Sequence, residues 1–185
     1  MEAFLVSTTV VALAEIGDKT QLLALMLAVR LKKPVPIIFG IAVATLFNHT
    51  LAGLAGGWVR AVVPAEYLRF LLAGSFVAVA LWALKEDKID DDAAVPYSHL
   101  GAFVVTVVAF FLAEIGDKTQ VATVMLAARF DSLVAVVSGT TLGMLVADVP
   151  VILVGKLAAQ KIPFKAARIV AAGMFALLAI IALVA

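Results

Sequence analysis

The chain has 185 residues, 64% of them hydrophobic and 15% charged, whereas a soluble domain is roughly 45–50% apolar and about 25% charged. That composition leaves no separate soluble catalytic domain, and a net charge of +1 offers no field for nucleic acid or another polyanion. With no cysteine, a thiolate nucleophile, a thiolate metal site and a disulfide framework are all excluded.

Apolar runs near the length of a membrane crossing, about 20 residues, lie at 3–29, 35–58, 68–84, 100–128, 133–154 and 167–185. The expected fold is an all-α membrane protein with six transmembrane helices in a single integral membrane domain. The first run lacks a basic leader and a small-residue cleavage site, so it is not read as a signal peptide. Between the runs stand short polar segments at 30–34, 60–69, 129–131 and 156–168, with Pro34, Pro64 and Pro163 among them. The one long hydrophilic stretch, 85–99, contains Asp90-Asp91-Asp92 and reads as a solvated acidic linker between a first unit, 1–84, and a second, 100–185. A sharper reading makes it an antenna for divalent ions.

Basic residues set the expected orientation. Arg30, Lys32, Lys33, Lys85, Lys88, Lys156, Lys161, Lys165 and Arg168 fall on one side, against Arg60, Arg69 and Arg129 on the other. The richer side should be cytoplasmic, which puts both termini outside and the acidic linker inside a plasma (inner) membrane. Trp58, Tyr67, Trp82 and Tyr97 fall at span ends, where an interfacial aromatic belt belongs.

The sequence from Glu15 through Ile16, Gly17, Asp18, Lys19 and Thr20 to Gln21 recurs as Glu114, Ile115, Gly116, Asp117, Lys118, Thr119 and Gln120, at an offset of 99. The same offset aligns Phe4 with Phe103, Met26 with Met125, Arg30 with Arg129, Gly40 with Gly139, Gly56 with Gly155, Pro64 with Pro163, Arg69 with Arg168 and Gly74 with Gly173. A duplicated unit of three spans enters the membrane from opposite sides, so the two halves should be inverted repeats. Transporters of that design hold their sites near the midplane where the halves meet.

Glu15, Asp18, Glu114, Asp117 and Asp148, with Lys19 and Lys118, all fall inside spans. Each costs about 2.5–3.5 kcal/mol at mid-membrane unless it is paired. Helical spacing would put Glu15, Asp18 and Lys19 on one face, with Glu15 and Lys19 in the favoured pair order. Gly17 is either a close-packing point or a place where the helix loosens, which is tolerable only beside a cavity. Two such motifs together carry four carboxylates and two ammonium groups, a charge that matches one divalent cation. Oxygens of Glu15, Asp18, Gln21, Glu114, Asp117 and Gln120, with hydroxyls of Thr20 and Thr119, suit Mg²⁺, Ca²⁺ or Mn²⁺ better than Cu⁺ or Zn²⁺. Such a cage can exchange the ion against protons or another cation. The plainer alternative is a salt-bridge knot that pins the halves together, in which each lysine is a tether or an internal surrogate cation.

In the second and fifth runs the repeat diverges, with Asn48-His49 against Ala147-Asp148. Asp148 is a candidate extra ligand or proton carrier, and His49 is a group that titrates near neutral pH in water. Both also suit hydrogen-bonded packing. Met26 and Met125 read as core or lipid-facing residues rather than sulfur ligands. Gly139 and Gly143 fit close helix contact, and Gly53, Gly56 and Gly57 are expected to do the same.

Twin Glu-x-Gly-Asp-Lys-Thr motifs in a six-span chain resemble the transporter family catalogued as uncharacterised protein family 0016, over essentially the whole chain. That family includes bacterial manganese exporters and Golgi and chloroplast manganese/calcium transporters. The resemblance implies that Glu15, Asp18, Glu114 and Asp117 bind and gate the cation. It also implies Mn²⁺, Ca²⁺ or both as substrate with H⁺ as counter-ion, and the chain looks most like a manganese exporter working by alternating access. Lys19, Thr20, Lys118, Thr119, His49 and Asp148 are then candidates for gating or proton coupling. Expected partners are a divalent metal ion and the lipid bilayer, not nucleic acid, with homo-oligomerisation left open. No cofactor is expected. An enzyme is disfavoured, because there is no His-Glu-x-x-His pattern and no Ser/His or Ser/Lys pairing at one depth. The competing readings are an exporter of a small organic cation or amino acid, and a non-transporting membrane scaffold.

Overall fold

The computed structural model describes residues 1–85, 101–154 and 164–184. The acidic linker with Tyr97, and Gly155, Lys156, Lys161 and Pro163, lie outside the described residues. Among the described residues the chain forms eight helices. The first half holds α1 (Glu2–Glu15), α2 (Lys19–Leu31), α3 (Pro34–Val62) and α4 (Ala65–Ala83). The second holds α5 (Ala102–Glu114), α6 (Lys118–Arg129), α7 (Leu133–Val154) and α8 (Phe164–Val184). The starts of α2, α3 and α4 recur at the sequence offset of 99 in α6, α7 and α8.

Four helices, α3, α4, α7 and α8, are long and apolar enough to cross a membrane, and α5 is a shorter apolar helix. The chain is thus an all-α membrane protein. The first and fourth apolar runs are not continuous spans: each is cut into two helices at its charged motif. Gly17 and Gly116 take φ of 83° and 73°, a left-handed conformation that glycine reaches without a Cβ penalty. Ile16 and Ile115 before them are extended. The turn that loosens is therefore the one the motif glycine permits.

The other boundaries follow local chemistry. Lys32 ends α2 in the left-handed region, its N–H bonded to the Ala28 carbonyl at 3.1 Å. Pro34 opens α3 at the first helical position, where its missing N–H costs nothing. Pro64 stops α3 and starts α4, its carbonyl accepting the N–H groups of Tyr67 and Leu68. Pro150 lies within α7 and has no N–H to give the Val146 carbonyl.

Packing partners exchange between the halves. Helix α1 packs chiefly on α7 and α5 on α3, while α2 meets α7 and α6 meets α3. Helices α4 and α8 pack on each other, with the sequence-matched Phe76 and Phe175 stacked at a centroid distance of 6.4 Å. A Cβ on Gly139 would stand 2.6 Å from the Phe4 carbonyl oxygen, and one on Gly40 would stand 3.0 Å from that of Phe103. The close approach of α1 to α7 is thus repeated, residue for matched residue, between α5 and α3. Gly143 packs on Thr8 and Ala12, Gly53 on Leu133, and Gly56 on Val124. Gly57 does not share this role, because a Cβ there would meet nothing within 4 Å.

The distribution of polarity is that of a protein in oil. On α3, Phe39, Val43, Leu46, Leu54 and Trp58 are exposed, while Thr45, Asn48 and His49 are buried. Trp58, Tyr67 and Trp82 are exposed near helix ends, as an interfacial belt requires. Met125 is buried in an apolar cluster and Met26 packs against another, so both methionines are core residues.

Candidate cation site at the two helix breaks

Each break is built the same way from its own motif. The Glu15 carbonyl accepts the Asp18 N–H at 3.0 Å, and Glu114 accepts that of Asp117 at 3.1 Å. Asp18 and Asp117 then stand at the N-cap positions of α2 and α6, where exposed N–H groups and the helix dipole favour an anion. The Thr20 hydroxyl donates to Asp18 Oδ2 at 3.3 Å, and the Thr119 hydroxyl to Asp117 Oδ2 at 3.2 Å. The side-chain oxygens of Gln21 and Gln120 accept the N–H groups of Gly17 and Gly116 at 2.9 and 2.8 Å. Both glutamines thus brace the break that their own motif opens.

The two motifs meet. Lys118 Nζ lies 2.6 Å from Asp18 Oδ1, and Lys19 Nζ lies 3.1 Å from Asp117 Oδ1. The expected Glu15–Lys19 pair on a single helical face is overturned: the backbone between them is not helical, and Lys19 reaches the opposite motif. Glu15, Asp18, Thr20, Glu114 and Thr119 are fully buried, and Asp117 and Gln21 nearly so. Gln120 is half-buried. The lysines differ, with side-chain exposures of 33% for Lys19 and 3% for Lys118.

His49 and Asp148 join the same buried region. His49 Nε2 lies 3.5 Å from Glu114 Oε2. Asp148 is within electrostatic reach of Glu114, and Glu15 of Asp18, Asp148, Glu114 and Asp117. Both oxygens of Glu15, Glu114 and Asp148 are buried without a hydrogen-bond partner among the described residues. No group of three acidic or histidine side chains among the described residues is close enough to hold one metal ion in this arrangement. Asp18 and Asp117 each have one oxygen against a lysine and the other against a threonine.

Two contacts were not foreseen from the sequence. Asn48 Nδ2 donates to the Phe111 carbonyl at 3.0 Å, capping one of the carbonyls freed where α5 stops. Gln21 Nε2 donates to the Ala147 carbonyl at 3.0 Å, three residues before Pro150. The signal for the first was an amide in an otherwise apolar run. The second needed the third dimension, since its acceptor is a backbone atom.

The model of the divalent cation/proton antiporter GDT1 family matches residues 3–91 and 102–185. The chain belongs to the GDT1 family. It is 51% identical over 181 residues to a Vibrio cholerae serotype O1 protein described as a candidate manganese exporter, covering 97% of this chain and 90% of that one. It is 25% identical over 204 residues to the GDT1-like protein sll0615 of Synechocystis, covering 98% of this chain and 96% of that one. No solved structure matches the chain. Membership in the GDT1 family makes divalent cation/proton antiport its activity, which is transport and not catalysis. The twin motifs with their buried carboxylates fall within the matched residues.

Proposed function

We propose that the chain exports Mn²⁺, with Ca²⁺ as a second substrate, from the cytoplasm in exchange for protons across the plasma (inner) membrane. The single observation that carries the site assignment is the set of buried carboxylates of Glu15, Glu114 and Asp148, without hydrogen-bond partners among the described residues. Buried carboxylates in an apolar surrounding need a positive partner, and a divalent cation of the hard-oxygen class supplies it. Asp18 and Asp117 complete the ligand set from the helix breaks. Gln21 and Gln120 stand beside it, each with its oxygen already engaged by a glycine N–H. Manganese as substrate is supported by the 51% identity to the Vibrio cholerae protein.

In this reading α1–α2 and α5–α6 are the broken first and fourth crossings of six. The two halves are inverted, an arrangement supported by the exchanged packing of α1 on α7 and α5 on α3. Alternating access follows when one half rocks against the other about the shared site. Thr20 and Thr119 hold the aspartates, while Asp148 and His49 flank the glutamates on the counter-ion's route. The basic residues of 30–33 and Lys85 face the cytoplasm and both termini face outside.

The test is flux into proteoliposomes with an acidic lumen and a trapped pH dye, over a panel of Mn²⁺, Ca²⁺ and Mg²⁺. Mn²⁺ should enter and raise the lumen pH, and Glu15→Gln and Glu114→Gln should abolish both signals while the proteins stay monodisperse. Full Mn²⁺ flux in both variants would sink the assignment of the site.

A further inference from the structure

We propose that Lys19 and Lys118 are built-in competing cations: each ammonium occupies the opposite motif's aspartate when no metal is there, and an arriving divalent ion must displace it. This rests on the transport reading above and adds what sets the affinity of the site.

The geometry is reciprocal. Lys118 comes from the second motif and lies 2.6 Å from Asp18 of the first; Lys19 comes from the first and lies 3.1 Å from Asp117 of the second. A lysine serving only to neutralise its own helix would stand beside Glu15 or Glu114. Both lysines instead cross to the other motif and take the Oδ1 atom, while Oδ2 is held by a threonine hydroxyl. Oδ1 is therefore the aspartate oxygen that a metal would have to win from an ammonium.

Lysine suits the task. Its ammonium is a compact point charge on a flexible stem, with no fixed fork to lock it to a carboxylate. It can withdraw as an ion arrives and return as the ion leaves, so the emptied site goes back across the membrane without exposing an uncompensated aspartate. The two exchanges are not simultaneous. Lys19 keeps a third of its side chain accessible while Lys118 is almost wholly enclosed. In this conformation displacement begins at Asp117, whose lysine has room to move away.

A competitor lowers affinity by the fraction of time it occupies the site, so occupancy of nine-tenths weakens metal binding about tenfold. Mn²⁺ binding by calorimetry on the purified full-length protein, and Mn²⁺ flux in proteoliposomes, measure the effect. Lys19→Met and Lys118→Met should each lower Kd and KM for Mn²⁺ about tenfold and lower kcat as well, because release loses its competitor. Lys118→Arg, which keeps the charge but adds a fork that grips a carboxylate, should leave KM at or above the wild-type value. Neutral variants that bind Mn²⁺ no more tightly than wild type would overturn the proposal. If Lys118→Met does not fold, Lys19→Met decides the matter alone. Wild-type protein without divalent flux would remove the transport reading and this proposal with it; intact flux with unchanged KM removes only the role of the lysines.

Discussion

The side-chain oxygen of Gln21 accepts the Gly17 N–H at 2.9 Å, reaching back over the break between α1 and α2. Its amide nitrogen meanwhile holds the Ala147 carbonyl of α7. Gln120 repeats the first bond at Gly116, in a more exposed place, with no second bond among the described residues. Gln21→Leu should therefore cost about 1–3 kcal/mol, the penalty of leaving buried polar groups unmade. Gln120→Leu should cost less, since water can reach its Gly116 N–H. Unfolding in detergent compares the two directly, and equal losses would refute the asymmetry.

Gly139 and Phe4 hold α7 against α1 with no room for a side chain. Gly139→Leu should abolish folded, monodisperse protein, and Gly139→Ala should cost about 1–3 kcal/mol as an overpacked contact. Gly57→Leu is the control, because a Cβ there meets nothing within 4 Å. Size-exclusion profiles and melting curves of the three variants check the contrast. A well-behaved Gly139→Leu protein would mean that α1 and α7 are not in close contact.

The unequal exposure of the two lysines predicts one-sided access. The chain has no native cysteine, so a single introduced one reports without background. Lys19→Cys should react with a membrane-impermeant maleimide in the metal-free protein, while Lys118→Cys should stay protected. Reversing the ion gradients across vesicles should exchange the pattern. Equal labelling of both sites under every condition would argue against two alternating states.

Much of this was legible in the sequence because it depends on composition and repetition. The apolar runs, the 99-residue duplication and the burial of the charged motifs needed only hydropathy and letter matching. The break at Gly17 stood in the sequence as one of two readings, since glycine permits a left-handed turn and also permits close packing. Backbone geometry chose the turn. The partner of Lys19 was misread because helical spacing presumes a continuous helix, and a break at residues 16–18 sends the side chain elsewhere. Gly57 was misread because the sequence pattern that it shares with Gly53 and Gly56 does not say whether another helix stands opposite it. Bonds to the carbonyls of Phe111 and Ala147 were out of reach, because a backbone acceptor carries no residue identity.

Matched positions 49 and 148 hold a histidine in one half and a carboxylate in the other, each fully buried beside the site. Two perfectly repeated halves would give the inward-facing and outward-facing forms mirror-image environments and hence equal energy. Under the proposed alternating access, His49 beside Glu114 and an aspartate at the counterpart position would lift that degeneracy. One of them would then be the resting form, and the ion gradient would work against a built-in bias. Under the proposed mechanism the protein would have a preferred posture, written in part where its two copies stopped agreeing.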